Sequence, residues 1–142
     1  MRMWKIYPLL IDGKVKEHPT WKGYFITEDG EVYSYWRRGK YPVIDYNKPP
    51  RKLSLQIDRN GYQSVYIGGR KGRRLLVHRL VAETHLSITN SAGLQVNHKD
   101  YTRTNNKVSN LEWVSISENH KHSYQKPGRM WGNKYQSRMV SY

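Results

Sequence analysis

A chain of 142 residues is long enough for one domain, or for two small units sharing one core. It has no cysteine, which excludes disulfides and thiolate zinc sites, and no apolar run near the ~20 residues of a membrane span. With 25 Lys and Arg against 11 Asp and Glu it carries a formal charge of +14, a field that attracts polyanions.

The hydrophobic share, 37%, is below the usual globular value, yet 5 Trp and 12 Tyr supply large ring surfaces for burial. The basic residues are scattered among strand-like segments rather than massed in a tail, which points to a folded surface tracking a phosphate backbone. The competing readings of the charge are a generic basic protein and one that binds an anionic membrane surface. The N-terminal MRMWKIYPLLIDGK has a short apolar patch and no small-residue cleavage site, so no signal peptide is read and an intracellular location is expected.

Residues 1–20 are expected to be irregular, interrupted by Pro8 and Pro19. YFITEDGEVYSYW (24–36) alternates about Glu28-Asp29-Gly30 and predicts a hairpin. RRGKYPVIDYNKPPRK (37–52) is basic and Pro-rich and is expected to be a loop. Asn60-Gly61 between two alternating runs is a strong hairpin signal. GGRKGRR (68–74) is a very basic turn leading into Leu75-Leu76-Val77, read as strand; Arg70, Lys71, Arg73 and Arg74 are its candidate phosphate contacts.

The period then changes. HRLVAETHL (78–86) places Leu80, Val81 and Thr84 on one helical face. LQVNH (94–98) and LEWV (111–114) read as strands joined by a long polar turn, with Trp113 expected in the core. Ser115 and Glu118 match a capping box, so a helix is expected from there until Pro127-Gly128. The basic stretch 127–142 reads as an arm or a helix that orders on DNA.

Strand, polar loop, strand and capped helix bring His98, Asn110, Asn119 and His122 toward one centre, with Asn119 and His122 one turn apart on the helix. VHRLVAETH, VNHKD, NN, NLEWVS and EN..H resemble the phage-type HNH homing endonucleases, whose catalytic unit is the ββα-metal motif. WKGYFITEDGEVYS resembles the short module that often precedes it, and the resemblance spans roughly residues 21–122.

The expected fold class is α+β: N-terminal antiparallel β hairpins followed by a helix and a ββα-metal unit. The expected organisation is a β-rich DNA-binding module over 1–76, a nuclease unit over 77–126 and a basic tail over 127–142. Hydrolysing a phosphodiester needs a base for water and a cation at the leaving oxygen. A neutral histidine titrates near working pH, so His98 suits the base. The resemblance implies that Asn97 and Asn119 bind one Mg²⁺ or Mn²⁺, and that Asn110 ties down the loop and aims His98. His122 and Asp100 are lesser candidate ligands. Relatives among intron-encoded nicking enzymes carry Asp where Asn97 stands, and an amide oxygen is the weaker ligand for a hard cation.

Lys99 and Arg103 are further candidate DNA contacts. Asn105 and Asn106 are expected to serve the turn's backbone, with DNA contact second. His78 and His85 are expected to pack, or in the case of His78 to touch a phosphate, and His120 to lie on the surface. The expected partner is double-stranded DNA, with no membrane, and the state a monomer or homodimer in the cytoplasm of a bacterial host, phage-encoded. A DNA-binding protein without catalysis and an RNA-binding protein are the alternatives.

Overall fold

The structure is a computed structural model that describes residues 14–88 and 90–126. The arm or helix expected over 127–142 lies outside the described residues, as do residues 1–13.

The first sheet has four antiparallel strands in the order β1-β2-β3-β6: β1 (Val15–Glu17), β2 (Tyr24–Thr27), β3 (Val32–Ser34) and β6 (Arg51–Lys52), while β4 (Trp36–Arg37) and β5 (Val43–Ile44) pair as a ribbon. The hairpin expected over 24–36 is present as β2–β3, registered Phe25↔Tyr33. Two expectations are corrected. Residues 15–17 are strand rather than irregular, because Val15 is fully buried against Phe25 and Tyr35. The stretch 37–52 is not all loop, because Lys52 pairs with Tyr33 and Arg37 with Val43. Pro42, Pro49 and Pro50 interrupt it and keep its strands to two residues, too short to show a period in the sequence.

Strand β2 is buried along its whole length because it faces two clusters. Tyr24 and Ile26 join the main core; Phe25, on the opposite pleat, meets Tyr35 edge-on at 5.3 Å between centroids. Each such fully buried side chain contributes roughly 1.5–3 kcal/mol.

The second sheet runs β7 (Gln56–Ile57), β8 (Gln63–Ile67), β9 (Arg73–Leu76). Its first hairpin closes where expected. Asp58 N–H donates to Tyr62 O at 2.8 Å, and Gly61, at φ +84°, takes the left-handed position of the short loop between them. The basic turn holds one 3₁₀ turn, Gly69–Lys71. Val77, expected to end the strand, instead begins α1 (Val77–His85), one residue ahead of the anticipated helix.

Leu80, Val81 and Thr84 are buried as their spacing implied. One cluster contains Ile26 and Val32 from the first sheet, Val65 and Ile67 from the second, Val77, Leu80 and Val81 from α1, and Leu111. Residues on both sides of the Leu76–Val77 junction thus share one core. His85 does more than pack: its Nε2 lies 2.8 Å from the Ile26 carbonyl. No helix among the described residues is long and apolar enough to cross a membrane.

The last unit is β10 (Leu94–His98), β11 (Leu111–Ser115) and α2 (Ile116–Tyr124), with β10 and β11 antiparallel and His98 opposite Leu111. The expected N-cap forms: Ser115 Oγ accepts from Glu118 N–H at 3.2 Å, while Glu118 Oε1 accepts from the Ser115 hydroxyl at 3.1 Å rather than from its backbone N–H. Trp113 is only partly buried, which corrects the expectation of a core residue. Its Nε1–H donates to Leu86 O at 2.6 Å and Arg79 lies over its ring, so it latches α1 to β11 while Leu111 and Val114 enter the interior.

Candidate active site

His98 ends β10, and the chain then makes a long polar loop before returning at β11. Asn110 closes that loop. Its Oδ1 accepts from Asp100 N–H at 3.1 Å, and its Nδ2 donates to Asp100 Oδ1 and to Asn105 O, each at 2.9 Å. Its carbonyl accepts from Lys99 N–H at 2.8 Å, so the residue after His98 is pinned to the start of β11. Asp100 also accepts from Thr102 and Asn105, and these hydrogen bonds, led by that from Asn105, pull its pKa down to about 2. Its oxygens are committed to the loop.

The side chain on His98 is that of Asn106, not Asn110. Asn106 Oδ1 lies 2.8 Å from His98 Nε2. An amide oxygen can only accept, so Nε2 carries the proton and Nδ1 keeps its lone pair in the neutral ring. Among the described residues, no hydrogen bond is made to His98 Nδ1. It is not among the buried unpaired side-chain atoms of the described residues, which are Tyr35 Oη, Arg37 Nε and His78 Nδ1. It therefore opens on the adjoining pocket, a concavity of about 340 Å³. Burial lowers the His98 pKa, against the opposing pull of its bond to Asn106, so the ring stays neutral through neutral pH.

Asn97, His98, Arg103, Asn119 and His122 line this pocket together with Tyr62 and Tyr101. Asn97 Nδ2 donates to Glu112 Oε1 across the ribbon at 3.0 Å. Asn119 Nδ2 donates to Gln95 Oε1 at 2.6 Å, which seats α2 on β10. In both amides the nitrogen is held by an acceptor, leaving Oδ1 as the atom available to a ligand. His122 Nε2 lies 3.2 Å from Lys99 O, and Tyr101 stacks on its ring at 4.1 Å while donating to its backbone carbonyl at 2.9 Å. Tyr101 has φ +63°, an uncommon conformation for a non-glycine residue that the stack and hydrogen bond together hold.

His98 also has aromatic ring neighbours. Its ring centroid lies 4.9 Å from that of His78 and 5.9 Å from that of Tyr62. Burial first, then the neighbouring His98 and Arg79, push the His78 pKa down to about 4, with Asp58 opposing. His78 is thus a neutral packing partner for the site. His120 is exposed, as expected.

Two hard oxygen donors, Asn97 Oδ1 and Asn119 Oδ1, suit a hydrated Mg²⁺ or Mn²⁺, which needs few protein ligands. The set is electrically neutral. Glu112 reaches it only through Asn97, and the described residues hold no group of three or more His, Cys, Asp or Glu able to bind a metal.

Two of the other expected contacts also fall beside this site. Arg103 lies over the Tyr62 ring at 5.0 Å and donates to Asn60 O, and Lys99 Nζ reaches Ser109 O at 3.4 Å. The basic turn lies elsewhere. Arg70, Lys71 and Arg74 line a larger groove of about 1480 Å³ with Trp21, Trp36, Arg37 and Arg51. Arg73 instead folds over the Trp21 ring at 5.6 Å.

Against known proteins, the model of the family described as HNH endonuclease matches residues 75–121. The chain is 36% identical over 134 residues to YosQ, a putative HNH homing endonuclease of the SPbeta prophage in Bacillus subtilis, covering 93% of this chain and 67% of that one. The chain belongs to the HNH endonuclease family. It is also 37% identical over 93 residues to DNA endonuclease I-HmuI of Bacillus phage SP01, covering 65% of this chain and 46% of that one. An HNH endonuclease of Acanthamoeba polyphaga mimivirus is 34% identical over 109 residues, covering 77% of this chain but 25% of its own length.

The structure described as DNA binding and cleavage by I-HmuI superposes with a TM-score of 0.64 at 28% identity, covering 89% of this chain and 67% of that one. The HNH fold expected from the sequence is therefore present, with antiparallel strands and two α-helices among the described residues. Sequence reasoning expected His98, Asn110, Asn119 and His122 around one centre, and the resemblance added Asn97; the structure brings Asn97, His98, Asn119 and His122 to one pocket, with Asn110 in the adjoining loop. Sequence reasoning missed Asn106's hold on His98, and it missed Gln63, Tyr62 and Tyr101. No local pattern joins residue 62 or 63 to residue 98. The doubled Asn105-Asn106 was the one visible signal, and it fits turn chemistry equally well.

Proposed function

We propose that this chain is a site-selective, metal-dependent endonuclease that hydrolyses phosphodiester bonds in duplex DNA, acting as a phage homing enzyme. The observation that carries the reading is the open Nδ1 of His98 in one pocket with the amide oxygens of Asn97 and Asn119. His98 Nδ1 takes a proton from water, the water oxygen attacks phosphorus, and the bond to the 3′ oxygen breaks. Asn97 and Asn119 hold the cation, Asn110 keeps the loop closed, and Arg103 meets the phosphate chain from the pocket's edge. A divalent ion bound there supplies positive charge as the leaving oxygen becomes anionic.

The basic groove takes flanking duplex by its phosphates. The family match and the DNA binding and cleavage described for I-HmuI support DNA as substrate; the chain spans only 25%, 26% and 46% of the length of three of its relatives. One active site per chain implies that a monomer nicks one strand and that a double-strand break needs a homodimer or two events.

The neutral ligand set favours one second reading, a DNA-binding protein with little or no catalysis. A plasmid relaxation assay with Mg²⁺ or Mn²⁺ separates the two. An enzyme converts supercoiled circles to open ones and loses this with a chelator, whereas a binder only shifts the DNA.

A further inference from the structure

We infer that Asn106 and Gln63 are positioning residues for His98, forming a hydrogen-bonded strut through which strand β8 of the N-terminal half orients the imidazole. This rests on the reading of His98 as the base.

Asn106 is only 1% exposed and is gripped on three sides. Its Oδ1 meets His98 Nε2 at 2.8 Å, and its Nδ2 donates to Gln63 Oε1 at 2.8 Å. Its Cβ lies against Gly30, where an added Cβ would come within 3.0 Å of it. Gly30 sits at φ +92° in the β2–β3 turn, and two residues beyond Asn106 the Val108 N–H donates to Glu28 O of the same turn at 2.9 Å. Two hairpins of the N-terminal half thus hold the loop that follows His98. The neighbouring Asn105 makes ordinary turn bonds, to Thr102 O and Asp100. The doubled asparagine therefore divides its labour, one residue for the loop and one for the histidine.

The strut has a direction. Gln63 turns its oxygen to Asn106 Nδ2, and with Gln63 so placed Asn106 turns its own oxygen toward His98. That orientation requires the proton on Nε2 and leaves Nδ1 as the basic atom facing the pocket. Without an acceptor at residue 63 the amide is free to flip. A flipped amide donates to Nε2, which must then be unprotonated, and the proton moves to Nδ1. The ring would remain in place with its basic nitrogen facing the wrong way.

The full chain with ¹⁵N-labelled histidine tests this. Long-range ¹H–¹⁵N spectra at pH 7.5 read the His98 nitrogens, with His98→Ala identifying the signal. A slowly exchanging Nε2–H is expected in the parent chain. It should vanish in Asn106→Ala, weaken in Gln63→Leu, and persist in Gln63→Glu, whose carboxylate still accepts. Nicking by Asn106→Ala should show kcat lowered roughly 10–100-fold, the range for losing the partner that orients a functional histidine, at unchanged KM for DNA. Gln63→Leu should lie between, and Gln63→Glu near the parent.

An absent Nε2–H signal in the parent, or one that survives in both Asn106→Ala and Gln63→Leu, overturns the strut. If Asn106→Ala does not fold, the Gln63→Leu and Gln63→Glu pair decides on the same signal. The spectrum does not need activity. A parent chain that fails to nick therefore counts against the nuclease reading, while the spectrum still judges the strut.

Discussion

The groove beside the basic turn and the pocket over His98 differ in size and in lining. The groove is wide and lined by cationic side chains interleaved with aromatic rings, including Arg37, Arg51, Arg70 and Arg74 around Trp21 and Trp36. The pocket is about a quarter of the volume and is lined mainly by carboxamides, imidazoles and tyrosines, with Arg103 and Lys126 beside them, and Asn97, His98 and Asn119 are held by hydrogen bonds to residues behind the lining. Charge acts over about a Debye length and does not need exact placement. Proton transfer needs one nitrogen at one angle. On the proposed reading, attraction falls mainly to the groove and chemistry to the pocket, so each can be altered with less effect on the other.

The largest separation is expected from His98→Ala. It should lower the single-turnover nicking rate by ~10²–10⁴-fold and leave the Kd for DNA unchanged, measured by nicking and by mobility shift on the same preparation. Loss of affinity with the rate intact would place His98 on the binding side of the divide.

The converse variant neutralises Arg70, Lys71 and Arg74 to Gln. Each lost phosphate contact should lower the slope of log K against log salt by about 0.9, with the nicking rate at saturating DNA preserved. An unchanged slope would mean that the groove faces away from the duplex.

A third change probes the aromatic backing of the pocket. His78 is held neutral in the fold, its pKa pushed from 6.5 down to about 4 by burial, His98 and Arg79. Below the unfolded pKa the unfolded chain binds the extra proton, so stability falls as pH drops from about 6.5 toward 4. At 1.36 kcal/mol per pH unit this comes to roughly 3 kcal/mol. His78→Phe should lose less stability than the parent between pH 7.5 and 4.5 in thermal unfolding. His85 and His98, whose pKa values are also lowered by burial, leave a residual slope of the same sign.

The smallest effect is expected at Asn97. Asn97→Asp adds a charge toward a hard cation, but Glu112 Oε1 now lies 3.0 Å from the replaced amide nitrogen. Two carboxylates there repel, so the substitution alone should lower the half-saturating Mg²⁺ for nicking only a few-fold. Combined with Glu112→Gln it should lower it further. No change in either variant would remove Asn97 from the ligand set.

Much of the nuclease unit was legible because its signals are local. An alternating run, a capping box and a change of period are each complete within about ten residues, and β10, β11 and α2 fall close to where they were expected. The hairpins at Gly30 and Gly61 were legible for the same reason, since a turn that needs a left-handed residue shows its glycine. The two-residue strands β4, β5 and β6 were not, because a strand that short has no period and exists only through its partner.

The same boundary runs through the site. The order of elements pointed His98, Asn110, Asn119 and His122 toward one centre, since the β hairpin and helix that carry them are contiguous in the chain, while Asn97 came from the resemblance. Which side chain holds the His98 ring was settled by the fold. Gln63, on a strand, and Gly30, in a turn, reach Asn106 from 43 or more residues away, and a hydrogen bond between amides has no signature in sequence until the backbone brings them together. The groove was half legible. Its cations could be counted in GGRKGRR, but Arg37 and Arg51 join them only because β3 pairs with β6 and β4 with β5. A net charge is a property of composition, whereas a charged surface is a property of packing.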